Sequence, residues 1–121
     1  ELIEVEATLP AGDARRTDEG KRLVRHCPDN MPLVACDPRG RDTSSEAMAK
    51  LLARWRDTGM ASACFAIGGA DGHSQELLER AEARIAFGSA TWPHMLFRAM
   101  LAEQLYRATM ILAGHPYHRG N

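Results

Sequence analysis

At residues 63–67 the sequence is Ala-Cys-Phe-Ala-Ile, and at residues 68–72 it continues Gly-Gly-Ala-Asp-Gly. A short, continuously apolar run that ends on glycines is typical of a buried strand leading into a loop. Residues 33–36, Leu-Val-Ala-Cys, form a second such run, and Asp-Pro-Arg-Gly follows at residues 37–40. Strands of this kind predict a parallel sheet with both faces covered.

Helical segments are predicted before, between and after these strands. Residues 13–26 are strongly charged, which favours a solvent-exposed helix. The Thr-Ser-Ser-Glu pattern at residues 43–46 has capping-box spacing and predicts a second helix, which Gly59 ends. A third helix is predicted at residues 74–84, followed by a short strand at residues 85–87.

The longest helix is predicted to begin at Pro93 or His94 and to end at Gly114. Glu103 and Arg107 have the i, i+4 spacing of an ion pair on its surface. Residues 108–113 are apolar almost all round, which one core-facing stripe does not require, so they predict a contact with a second copy of the chain. The positions expected to be buried are Phe97, Leu101, Leu105, Ala108 and Leu112.

With a further short strand at residues 2–6, strands and helices alternate along the chain. This order predicts a single α/β domain over residues 1–121, with a mostly parallel sheet and helices on both of its faces.

Composition excludes several classes of protein. The 121 residues are 45% hydrophobic and 26% charged, which indicates a globular domain rather than a disordered chain. No apolar run approaches the roughly 18 residues that cross a bilayer, so no membrane partner is predicted. Three cysteines without CxxC spacing favour the reducing cytoplasm over a disulfide framework. A formal net charge of -1 argues mildly against a protein that holds nucleic acid by bulk charge alone.

The loops that follow the strands form the first predicted ligand site. Because the carboxyl ends of parallel strands lie at one edge of a sheet, residues 37–40, 68–72 and 88–93 are expected to meet there. Residues 68–72 contain neither a basic side chain nor a phosphate-loop motif, so a ligand recognised by backbone groups, such as adenosine, fits better than a phosphate. The alternative is a tight strand-to-helix turn in which glycine serves geometry alone, and the glycines by themselves favour it.

The C-terminal tail is the second candidate. His115 and His118 are spaced as two metal ligands could be, but Pro116 interrupts any helix between them and no third ligand stands out, so no metal site is predicted. Tyr117, His118 and Arg119 offer a ring that stacks on a base, a proton carrier and a phosphate-binding guanidinium. The alternative is an ordinary solvated C-terminus.

His94 and Arg98 share one face at the start of the last helix, beside Trp92, where they could contact a substrate. For His94 the alternative role is to cap the helix. Cys36 and Cys64 lie in apolar strands and are predicted to be core residues rather than nucleophiles. The histidines predicted to lie on the surface are His26 and His73.

Three segments taken in order resemble one known family. They are Ile-Gly-Gly-Ala-Asp-Gly at residues 67–72, the stretch from residue 91 to residue 108 that begins Thr-Trp-Pro-His-Met-Leu, and His-Pro-Tyr-His-Arg at residues 115–119. Together they strongly resemble the ribosomal RNA large-subunit methyltransferase H family of the SPOUT superfamily. The resemblance runs from residue 1 to residue 119 and is densest from residue 67 onward.

This resemblance implies a trefoil-knotted α/β fold, a homodimer, and transfer of a methyl group from S-adenosylmethionine to N3 of a pseudouridine in the helix 69 loop of 23S rRNA. It also implies a strand and a helix before Leu2, which we expect to be missing from this chain. The cofactor-binding residues that it implies are Cys36 with the turn at residues 37–40, Gly69, Gly88, Ser89, Ala90, Thr91, Trp92 and Pro93. The RNA-facing residues that it implies are His94, Arg98, Tyr117, His118 and Arg119.

Methylation at N3 removes an imide proton, so a base or a nearby cation is expected to help, and His118 and Arg119 are the candidates for that catalytic role. From Thr91 onward three arginines stand against the single acidic residue Glu103, so this end of the chain is basic despite the weak overall charge. Two alternatives remain open. One is a non-catalytic RNA-binding or ribosome-binding module, and the other is a flavodoxin-like nucleotide-binding or redox domain, which the absent phosphate loop disfavours.

Overall fold

The computed structural model describes residues 12–60, 62–68 and 72–114. The predicted strand at residues 2–6 lies outside these ranges. Within them, no helix combines the length and the apolar character that a membrane crossing requires. The described elements, in chain order, are α1 (Asp13–Arg25), β1 (Leu33–Asp42), α2 (Ser45–Asp57), β2 (Cys64–Ile67), α3 (Gln75–Arg80), β3 (Ala83–Ala86) and α4 (His94–Leu112).

The strands of the described ranges form one parallel sheet in the order β2-β1-β3. β1 pairs with β2 from Leu33 opposite Cys64 to Cys36 opposite Ile67. On its other side β1 pairs with β3, beginning at Val34 opposite Ala83. The prediction of a parallel sheet is confirmed, and β1 at its centre explains why residues 33–36 are apolar throughout.

Alternation along β1 divides the core into two layers. Leu33 and Ala35 point to one face, where they pack with Leu77 of α3 and with Cys27, which follows α1. Val34 points to the other face, in the layer formed with α2 and α4. Other buried members of that second layer are Cys36, Met48, Ala49, Trp55, Ile85, Leu101 and Ala108. Helices therefore cover both faces of the sheet, as predicted.

β1 extends further than predicted. The sequence suggested a strand that ends at Cys36 and a loop over residues 37–40, but the strand continues to Asp42. The register shifts between Cys36 and Arg41, both of which lie opposite Ile85 of β3. Residues 37–40 are therefore a bulge within a paired strand rather than a free loop.

The boundary between α3 and β3 also differs from the prediction, which placed Arg84 in the helix and the strand at residues 85–87. The backbone is already extended at Ala81, with a ψ of 133°. The N–H of Glu82 then donates to the carbonyl oxygen of Leu33 at 2.8 Å, which draws the chain into the sheet. A hydrogen bond to β1 thus outweighs the helix propensity of the Ala-Glu-Ala sequence.

α4 begins and ends close to the predicted residues, with Pro93 immediately before it. The predicted ion pair is confirmed, because Arg107 Nη2 lies 2.7 Å from Glu103 Oε1. The prediction that Leu112 is buried is wrong, because its side chain is 37% exposed. Leu112 lies in the last turn of α4, where the helix carries apolar side chains on nearly all sides and only one side faces the core. Of the other predicted positions, Leu101 and Ala108 are buried, and Phe97 and Leu105 are partly buried against the core.

Candidate functional site

A cavity of about 600 Å³ opens at the carboxyl edge of the sheet. It is within the range of roughly 300–1,000 Å³ that small-molecule sites occupy. Three stretches form its walls: residues 36–39 in β1, residues 67–68 with 72–73 after β2, and residues 86–92 after β3. The structure thus brings together parts of all three segments that were expected to meet at this edge.

Most of the predicted cofactor residues lie on the cavity wall, and so does His94, which was predicted to face RNA. Pro93 and Arg98 are described but do not line the cavity. Gly69 and the tail at residues 115–119 lie outside the described residues. The predicted cofactor residues on the wall are Cys36, Asp37, Pro38, Arg39, Gly88, Ser89, Ala90, Thr91 and Trp92.

The wall formed by residues 86–92 is fixed at both of its ends. The Gly88 N–H donates to Asp42 Oδ1 at 2.8 Å, and glycine accommodates the φ of 83° that this turn requires. The indole N–H of Trp92 donates to the carbonyl oxygen of Phe87 at 3.0 Å, which closes the loop. The Phe87 ring stacks on Phe97 of α4 with centroids 5.1 Å apart. These contacts anchor both ends of the loop.

Between those two anchors, Ser89, Ala90 and Thr91 are exposed beside the cavity. No hydrogen bond within the described part of the chain engages their backbone N–H or C=O groups. Backbone donors and acceptors of this kind are complementary to the polar edge of a nucleobase and to ribose hydroxyls. Backbone groups without a partner in the described part of the chain are what the predicted recognition of a ligand by backbone groups requires.

His73 was predicted to lie on the surface, but it is only 4% exposed. Its Nε2 lies 3.1 Å from the carbonyl oxygens of both Cys36 and Ala66, so Nε2 carries the proton and donates to both. Burial lowers the pKa of His73 and keeps the ring neutral, although Asp37 and Glu19 favour the charged form. The imidazole therefore joins Cys36 of β1 to Ala66 of β2 at the cavity wall.

Substitutions of His73 test this strand clamp. His73→Gln keeps an N–H donor near the Nε2 position and is expected to retain most of the stability. His73→Leu is expected to lower the free energy of unfolding by about 2 kcal/mol, because both carbonyl groups lose their donor. Because the pKa of His73 is lower in the folded state, the unfolded chain binds more protons, and stability should fall as the pH drops below about 6.5. Urea unfolding between pH 5 and 8 measures both effects. Equal stability of the Leu variant and the unsubstituted protein would rule out the clamp.

Asp37 and Arg39 form an ion pair at the mouth of the cavity. Asp37 is 5% exposed, and its carboxylate accepts hydrogen bonds from the Arg39 backbone N–H at 2.8 Å, from Nε at 3.2 Å and from Nη2 at 3.1 Å. Burial alone would raise the pKa of Asp37, but the hydrogen bonds and charge of Arg39 outweigh it and lower that pKa. Both groups are therefore charged at neutral pH, and the pair stabilises the bulge at residues 37–40.

The cysteine in the wall is not a nucleophile. Cys36 is 6% exposed, and burial raises the pKa of its thiol to about 12. The prediction that Cys36 is a core residue is confirmed, and Cys64 is partly buried against the core layer that contains Leu33 and Leu77. One cavity residue that the sequence did not single out is Arg16 of α1, which also contacts Asp13. Among the described residues, no group of three potential metal ligands comes together.

Comparison with known proteins agrees with these features. The family model described as "Predicted SPOUT methyltransferase" matches residues 1–118. Several curated relatives carry the name "Ribosomal RNA large subunit methyltransferase H". The one from Nitrobacter winogradskyi is 51% identical over 115 residues, which cover 89% of this chain and 72% of the relative. The Bradyrhizobium diazoefficiens relative is 54% identical over 105 residues (87% of this chain, 66% of the relative), and the Rhodospirillum centenum relative is 52% identical over 119 residues (98% and 78%).

Proposed function

This chain belongs to the ribosomal RNA large subunit methyltransferase H family of SPOUT methyltransferases, and from that membership we propose that it methylates 23S rRNA with S-adenosylmethionine as the methyl donor. The site proposed for methylation is N3 of a pseudouridine in the helix 69 loop, and the ribosome-bearing cytoplasm is the proposed location. The observation that carries the proposal is the cavity at the carboxyl edge of the sheet, where the backbone of residues 89–91 has no partner in the described part of the chain.

The residues present fit an adenosine-containing sulfonium. The cavity volume of about 600 Å³ suits a ligand of this size. The backbone of residues 89–91 would hold the adenosine, with the Trp92 ring and Phe97 as apolar surface beside it. His73 lines the cavity as a neutral ring, so it would add no positive charge that repels a positively charged sulfur. When bound, S-adenosylmethionine supplies a methyl group already activated for transfer.

The protein's contribution to the chemistry is positioning. The wall at residues 86–92, anchored at Gly88 and Trp92, would hold the cofactor and orient it for transfer of its methyl group to the accepting nitrogen. The Cys36 thiol remains protonated because its pKa is about 12, so a soft nucleophile in the wall does not compete for the methyl group. N3 gains the methyl carbon and loses its proton, and the electron pair of the broken carbon–sulfur bond stays on sulfur. The reaction therefore needs only a proton acceptor.

We assign that proton transfer to the tail at residues 115–119, which follows the last described residue, Gly114. His118 has the appropriate side chain for a base, and Arg119 for stabilising negative charge on the pyrimidine ring. His118→Ala is expected to lower the single-turnover rate of methyl transfer by about a hundredfold, without changing the affinity for S-adenosylmethionine. The enzyme is first mixed with labelled cofactor. Rapid mixing with large ribosomal subunits then starts the reaction, and quenching at successive times measures this rate. Full single-turnover activity in the variant would remove His118 from the role.

A homodimer and the trefoil knot of the family are further parts of the proposal. α4 supports the dimer, because large apolar side chains are exposed along it: Met95 at 59%, Leu96 at 46%, Tyr106 at 50% and Leu112 at 37%. A second copy of the chain would cover this surface and bring its own tail toward the cavity.

Calorimetric titration with S-adenosylmethionine tests the proposed function against its alternatives. We expect saturable binding to the protein. A ribosome-binding module without catalysis would give no heat, and a flavodoxin-like domain would bind flavin mononucleotide in place of S-adenosylmethionine. Either result would contradict the proposal.

A further inference from the structure

The Arg39 guanidinium is held in one orientation at the cavity mouth. Its Nε and Nη2 both donate to the carboxylate of Asp37, which is itself 5% exposed and so cannot swing into solvent. The Arg39 side chain is nevertheless 75% exposed. A buried carboxylate thus fixes an exposed guanidinium.

The contact with Asp37 uses only one edge of the guanidinium. Of its five N–H bonds, two are engaged by Asp37, and Asp37 is the only partner of this side chain among the described residues. The remaining N–H bonds, those of Nη1 and the second of Nη2, are available to another anion. Two planar donors of this kind match the oxygens of a phosphate.

The two guanidinium groups among the cavity-lining residues belong to exposed or partly exposed side chains. The arginines among the lining residues are Arg39, from β1, and Arg16, from α1, where it also contacts Asp13. The other lining groups are backbone, apolar and hydroxyl side chains, the imidazoles of His73 and His94, and the carboxylate of Asp37, which accepts from Arg39. A nucleotide whose base approaches a methyl donor in this cavity would place its phosphates toward these exposed guanidinium groups, because the carboxylate of Asp37 repels them from the rest of the wall.

We propose that Arg39, oriented by Asp37, binds a phosphate of the rRNA backbone beside the target nucleotide. This inference rests on the proposed function. Arg39 acts on RNA affinity and on placement of the substrate, and it takes no part in the proton transfer. The competing anion is the carboxylate of the cofactor's methionine portion, which a guanidinium would bind by the same chemistry.

The test measures RNA binding and cofactor binding separately. Affinity for purified large ribosomal subunits is determined by sedimentation at several salt concentrations, and affinity for S-adenosylmethionine by calorimetry. Arg39→Gln is expected to weaken subunit binding about tenfold and to make the slope of log K against log salt shallower by about one, with cofactor affinity unchanged. Arg39→Lys should keep the slope but recover only part of the affinity, because an ammonium is a point charge.

Two further variants complete the design. Asp37→Asn keeps the arginine but loosens its orientation, so we expect weaker subunit binding with an unchanged salt slope. Arg54→Gln removes the same charge from α2, outside the cavity wall, and should leave subunit binding unaltered. Thermal unfolding of each variant verifies that it is folded. Because Arg39 is exposed, Arg39→Gln and Arg39→Lys keep the test valid even if Asp37→Asn unfolds.

The outcomes separate this inference from the proposed function. An unchanged salt slope and subunit affinity in Arg39→Gln would overturn the inference, and so would a loss of cofactor affinity, which would place Arg39 on the methionine carboxylate. If the unsubstituted protein binds subunits with the predicted dependence on Arg39 but binds no S-adenosylmethionine, the phosphate contact stands and the methyltransferase proposal fails.

Discussion

Replacing Ala90 with tryptophan is expected to weaken S-adenosylmethionine binding by at least about a hundredfold, a loss of about 2.8 kcal/mol of binding free energy. Ala90 is exposed on the cavity wall, between the Gly88 and Trp92 anchors of its loop. An indole at this position would occupy the space that the ligand needs. Because the side chain of Ala90 packs against nothing in the core, the free energy of unfolding should change by no more than about 0.5 kcal/mol.

The matched control is Ala47→Trp, which adds the same bulk at an exposed position in the first turn of α2, away from the cavity wall. Calorimetry on both variants measures the affinity, and urea unfolding measures the stability. Affinity in Ala90→Trp equal to that of the control would show that the ligand binds elsewhere, and the cavity would lose its assignment.

Replacing Gly40 with alanine is expected to lower the free energy of unfolding by about 3 kcal/mol. A Cβ at this position would lie 2.8 Å from the carbonyl carbon of Arg84 and 2.9 Å from both its oxygen and the Ile85 nitrogen. These are backbone atoms of β3, which is paired with β1, so they cannot retreat without breaking the sheet at the bulge. Since the cavity wall at residues 86–92 continues directly from β3, cofactor affinity should fall as well.

Gly59→Ala is the matched control for Gly40→Ala. Gly59 follows α2 with a φ of 81°, and nothing lies within 4 Å of the position that a Cβ would take. The alanine there costs only backbone strain, about 1 kcal/mol. Urea unfolding of both variants compares the two costs. If Gly40→Ala were no more destabilising than Gly59→Ala, the close approach of β1 and β3 at the bulge would be wrong.

The sheet was predictable because its signal is local. Residues 33–36 and 63–67 are continuously apolar because both faces of their strands are covered. This pattern is visible in the sequence whatever residues pack against the strands. The boundaries were not predictable, because long-range hydrogen bonds set them. The Glu82 N–H ends α3 early by bonding to Leu33, and Asp37 turns a Pro-Arg-Gly sequence into a bulge by accepting hydrogen bonds from Arg39.

Part of the candidate site was predictable from the sequence and part was not. Its location followed from topology, since the carboxyl ends of parallel strands must share an edge. The burial of His73 did not follow, because its two carbonyl partners lie on different strands and meet only in the folded chain. The one signal for it was its position directly between a glycine loop and the Ser74 cap of α3. Nothing in the sequence indicated that Arg16 lines the cavity, because only the packing of α1 brings it there.

The most direct measurement is methyl transfer to 23S rRNA. The protein is incubated with labelled S-adenosylmethionine and, in separate reactions, with large ribosomal subunits and with assembled ribosomes that lack the modification. The rRNA is then digested and mapped by mass spectrometry. We predict one methyl group per subunit, on N3 of a pseudouridine in the helix 69 loop, and a much slower transfer with the Ala90→Trp variant at the same subsaturating cofactor concentration. A 23S rRNA that gains no methyl group, or gains it on another nucleotide, would contradict the account.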